Sequence, residues 1–80
     1  MTKVEKIKLE KLMQRAIYLA KLSSREYEKA EQYLRDQKPV EWEVAQRGAD
    51  QYYGWASGLE QALTVLNFKH EHMKTLQDLL

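Results

Sequence analysis

The chain has 80 residues, of which 44% are hydrophobic and 31% charged, with a net charge of +1 and no cysteine. These values describe one small helix-rich domain near the lower size limit for a single core. They exclude a disordered chain, a disulfide scaffold and a thiolate metal site.

The first helix is predicted to start at Thr2-Lys3-Val4-Glu5, which has capping-box spacing. No glycine or proline interrupts the chain from there to Pro39, so a helix over about 3–36 is permitted, roughly 50 Å long at 1.5 Å per residue. A seam runs through it at Leu9, Met13, Ala16, Ala20, Ser23, Tyr27, Ala30 and Leu34, in the alternating steps of four and three that keep one side facing a partner helix. Ser23-Ser24-Arg25-Glu26 is a second capping box. The seam keeps register straight through it, so a continuous helix is favoured over a break there.

A turn follows at 36–39, where Pro39 suits the first helical position of the next element. The second helix is predicted over about 40–66, with Glu41 and Glu43 complementing its dipole. Its seam is Trp42, Ala45, Ala49, Tyr52, Ala56, Leu59, Leu63 and Leu66. Gly48, Gly54 and Gly58 lie inside it, each costing about 0.5–1 kcal/mol relative to alanine, which points to close approach of another backbone. Asn67 caps this helix ahead of a short third helix over 68–79, or the helix runs straight on, since His70, Met73, Gln77 and Leu80 keep the register.

The predicted fold is therefore all-α, an antiparallel helical hairpin with a possible short third helix. Residues 1–30 carry eight Lys/Arg against four Asp/Glu, and residues 31–80 five against eight. Opposite signs on the arms favour the hairpin and, equally, antiparallel pairing between chains. The second helix is apolar over about 200° of its circumference, too wide for one partner helix to cover: Val44, Trp55, Ala62, Val65 and Leu76 flank its seam. The first helix has a second apolar line at Val4, Ile7, Tyr18 and Leu22. A dimeric four-helix bundle is the simplest cover, with Gly54, Gly58, Ala62, Val65, Ile7, Tyr18 and Leu22 as the expected interface. The runner-up is a monomer of four shorter helices, broken at Ser23 and Asn67.

Among candidate chemistries, His70-Glu71-His72 lacks helical ligand spacing, because residues two apart on a helix point away from each other. No serine stands in a relation to histidine that suggests activation, and the glycines lie in a helical pattern rather than a phosphate loop. No enzyme, metal or cofactor is expected. Trp42, Arg47 and Tyr53 are the expected contact patch for an outside protein, exposed Trp and Tyr being common at interface hot spots. Lys8, Lys11, Arg15, Arg25 and Lys29 form a basic stripe that could track a phosphate backbone, so a nucleic-acid-associated regulator is an alternative, and a structural subunit of an assembly another.

The longest uncharged run, Gln51 to Leu59, is far short of a membrane span, and the lysine-rich start has no apolar leader, so the expected compartment is the cytoplasm. The stretch from Arg47-Gly48-Ala49-Asp50 through Gly58-Leu59-Glu60-Gln61-Ala62-Leu63-Thr64-Val65-Leu66 resembles short helical accessory proteins of phage and prophage modules. That resemblance implies a protein acting by contact in the host cytoplasm, inhibiting or redirecting a larger host or defence protein.

Overall fold

The structure is a computed structural model describing residues 2–80. Three helices follow one another: α1 (Lys3–Arg35), α2 (Pro39–Val65) and α3 (His72–Leu79). The first two form the antiparallel hairpin, and the Cα atoms fill a rod of 52 × 17 × 16 Å.

Local chemistry sets the boundaries. Thr2 caps α1, its hydroxyl accepting from the Glu5 amide at 3.1 Å. Both long helices end in a left-handed residue, Gln37 at φ 57° and Asn67 at φ 56°. At the first, the Lys38 amide reaches the Tyr33 carbonyl at 2.9 Å and the Gln37 amide reaches Leu34 at 3.2 Å. At the second, Phe68 donates to Leu63 at 3.0 Å and Asn67 to Thr64 at 2.9 Å. Both are Schellman closures, satisfying carbonyls a helix end would otherwise orphan. The second carries its hydrophobic contact as well, since Leu63 and Phe68 share the core.

α1 is unbroken at Ser23. That side chain is buried, and its hydroxyl donates to the Ala49 carbonyl of α2 at 2.9 Å, so the second capping box serves packing between helices. The chain does break at Asn67, against a straight continuation. The third helix is shorter than the sequence predicts, because residues 68–71 form an irregular link before His72.

Packing differs between the two halves of the rod. Toward the turn the buried side chains are small: Ser23 and Ala30 on α1, Ala45 and Ala49 on α2. At the other end Met13, Leu19 and Leu63 join Phe68, Met73 and Leu76 in one cluster. α3 supplies the bulk there, with Leu76 fully buried. The seam ends Leu34 and Leu66 are exposed, Leu34 beside the turn at Gln37 and Lys38 and Leu66 on the open side of the hairpin beside Leu9 and Leu12. Among the described residues, no atom beyond the local helix backbone lies within 4 Å of where a Cβ would stand at any of the three glycines, so none of those residues makes the close approach the glycines suggest.

Gln37 is a β-carbon-bearing residue in a conformation glycine adopts without steric cost. Gln37→Gly should stabilise the hairpin by about 0.5–1 kcal/mol, read as a higher urea midpoint. An unchanged or lower midpoint would contradict the geometry of this turn.

Candidate functional site

α3 lies on one face of the hairpin. Its contacts are with one flank of each long helix: the Tyr53 hydroxyl donates to the Leu80 carbonyl at 2.9 Å, Gln77 Nε2 donates to Glu60 Oε1 at 3.4 Å, and His70 stands 3.8 Å from Glu10. The opposite face has no such cover. There an open groove of about 620 Å³ runs between the helices, lined by Leu12, Arg15 and Leu19 from α1 and by Gly54, Trp55, Gly58 and Leu59 from α2. Leu12 is 43% exposed and Trp55 50% exposed. The groove continues past Leu9 and Leu12 to Leu66 at one end, with Glu5 and Lys8 on its rim. Toward the turn a separate hollow lies between Glu26, Lys29 and Tyr33 of α1 and Val40, Glu41 and Val44 of α2. Helical spacing puts Gly48, Gln51, Ala62 and Val65 along the same side of α2, and Val65 is 85% exposed. A contiguous apolar surface of this kind marks an interaction site more often than scattered exposed residues do.

The residues expected at an oligomer interface divide between two surfaces. Gly54 and Gly58 line the groove, and half-buried Leu22 packs against the core. Ile7 and Tyr18 are exposed, but their spacing from the seam puts them on the outer ridge of α1.

The outside-contact patch is likewise divided. Tyr53 is held by the end of α3, Trp42 is half-buried, and Arg47 extends into solvent while pairing with Glu43 at 2.6 Å. The basic stripe is continuous along α1 but interleaved with acids and aromatics. Lys29 pairs with Glu26 at 3.2 Å, the Arg15 guanidinium lies 5.8 Å from the Tyr18 ring centroid, and Lys8 shares its end of the groove with Glu5.

The two histidines correct the helical-spacing argument, because only His72 belongs to a helix. Their rings approach to 5.0 Å between centroids. His70 Nδ1 accepts from the His72 amide at 3.1 Å, and its Nε2 stands 3.8 Å from Glu10 Oε1. Among the described residues no group of three or more His, Asp or Glu could hold a metal, and no helix is long and apolar enough to cross a membrane.

Sequence reasoning placed Tyr27 on the seam without seeing its partner. Its hydroxyl donates to Asp50 Oδ1 at 2.6 Å. That hydrogen bond, then desolvation, then the charge of the carboxylate raise its pKa above the ordinary 10.0.

No known protein family, curated protein or solved structure matches this chain.

A raised phenol pKa means that the stability Tyr27 contributes is fully present below its unfolded value near 10.0 and is lost as pH rises through the higher folded value. An alkaline titration followed by phenolate absorbance should show a late-ionising tyrosine that Tyr27→Phe removes. The same substitution should flatten the loss of stability in that range. Identical titrations of the two proteins would refute the Asp50 bond.

Proposed function

We propose that the protein is a non-enzymatic protein–protein interaction module that works as a dimeric four-helix bundle. The observation supporting this reading is the apolar face opposite α3, where Leu12, Trp55, Val44 and Val65 stand exposed around a groove that none of the described residues fills. Each partly exposed side chain there costs stability that burial would recover, at about 25 cal/mol per Å² of apolar surface. A second hairpin supplies two helices at once and closes a four-helix arrangement around the shared core. The assembled bundle acts by contact, docking on a larger protein in the cytoplasm, which is the mode implied by its resemblance to phage accessory proteins. Its mechanism is steric: a rigid rod presents a fixed surface, and no bond in the partner is made or broken.

Wild-type protein should sediment as a dimer at micromolar concentration. Leu12→Ser combined with Trp55→Ser should sediment as a monomer while keeping its far-ultraviolet circular dichroism, because both side chains are about half in solvent and neither belongs to the buried cluster around Leu63 and Leu76. A wild type that stays monomeric at high concentration, or a double variant that dimerises as well as wild type, would refute this use of the face.

A further inference from the structure

Resting on the dimeric reading, we infer that the occupant of the open face is a second copy seated antiparallel, its two-fold axis crossing the rod at the level of Ile17 and Trp55. Two strips that have no sequence relation to each other give the same axis. On α1 the groove side runs Glu5, Lys8, Leu12, Arg15, Leu19, Leu22, Glu26, Lys29, in alternating steps of three and four. It is a second seam beside the one α2 covers, with Leu19 buried at the border and Leu12 and Arg15 open to solvent. Turned end for end about position 17, it pairs Glu5 with Lys29, Lys8 with Glu26, Leu12 with Leu22, and Arg15 with Leu19. Acid meets base at both ends, and leucine meets leucine between them.

On α2 the groove side is almost uncharged. Turned about Trp55, it pairs Gly48 with Ala62 and Val44 with Leu66. Small residues meet small residues, which permits close backbone approach, and apolar ends meet apolar ends. The two centres coincide in space. Ser23 is level with Ala49, as their hydrogen bond requires. Moving six positions in opposite directions along the antiparallel pair brings Ile17 level with Trp55, and the groove has Arg15, Leu19 and Trp55 together on its walls. One rotation axis therefore satisfies both helices.

The open space at Gly54 and Gly58 then receives side chains of the second copy near the axis, where the two Trp55 rings meet. A face 52 Å long and about 17 Å wide has the dimensions of a standard interface, about 800 Å² per partner. α3 sits on the far side and obstructs nothing. The surface ion pairs contribute little affinity individually, so their role is to fix direction and register while apolar burial holds the copies together. A parallel stack would instead lay α1 over α2 of the other copy, placing Lys8 and Arg15 over uncharged residues of α2.

The chain has no cysteine, so introduced thiols report the register directly. Lys8→Cys mixed with Glu26→Cys should oxidise to a disulfide-linked heterodimer. Each variant alone should give little cross-linked product, because identical positions lie about 27 Å apart along the rod at 1.5 Å per residue. Lys8→Glu combined with Lys29→Glu should weaken the dimer about tenfold or more at low salt, and mixing it with Glu5→Lys/Glu26→Lys should restore association. A dimer in which Lys8→Cys links to itself, or to Val65→Cys in place of Glu26→Cys, overturns the antiparallel register and leaves the dimeric reading intact. A strictly monomeric wild type overturns both.

Discussion

A helical hairpin has two broad faces, and among the described residues a third helix covers only one of them. α3 is eight residues long. It buries Met73 and Leu76 against the open end of the hairpin, with Phe68 from the link, and its terminal carbonyl is held by Tyr53. The other face keeps the apolar residues that helix periodicity put there. Asymmetric cover is the constraint from which the groove, the exposed tryptophan and the proposed pairing all follow.

The same constraint shapes the energetics. Alanine and serine in the turn half of the seam let α1 and α2 run close together, but each removes little apolar surface from water. Single hydrogen bonds supplement that half, from Ser23 to Ala49 and from Tyr27 to Asp50, each with a net value of about 0.5–1.5 kcal/mol. Larger hydrophobes gather where three helices meet. A chain this small has little surplus stability, which gives weight to surface that a second copy could bury. The three helix-interior glycines fit that picture: each lowers helix stability by about 0.5–1 kcal/mol, and none of the described residues occupies the space they leave.

Much of this architecture was legible in the sequence because heptad spacing is a strong signal. Met13, Ala16, Ala20, Ala45, Ala49, Ala56 and Leu63 are buried where the two seams place them, and the Thr2 cap is formed as its spacing implies. The end of α2 was ambiguous for a physical reason. Asn67 tolerates both helical and left-handed backbone, and the downstream register ran on unbroken, so only the tertiary packing of Phe68 and Leu76 decides between a break and a continuation. Side-chain meetings that depend on the irregular link, such as His70 with His72 and Glu10, have no periodic signature. The open face itself was legible as excess apolar width, but which of its residues share one groove was not. Ile7 and Tyr18 joined Leu22 in a single apolar line on the sequence, whereas the outer ridge of a real helix separates them from the groove. Function was the least legible, because a docking face is defined by which residues of two helices come together, and neither helix's sequence shows that alone.

Small-angle X-ray scattering tests the central claim most directly, since it reads mass and length together. Face-to-face pairing about Ile17 and Trp55 requires a particle of about 19 kDa, twice the chain's 9.5 kDa, whose length stays close to the single rod's 52 Å. A particle of single-chain mass, or one of doubled mass and nearly doubled length, would contradict it.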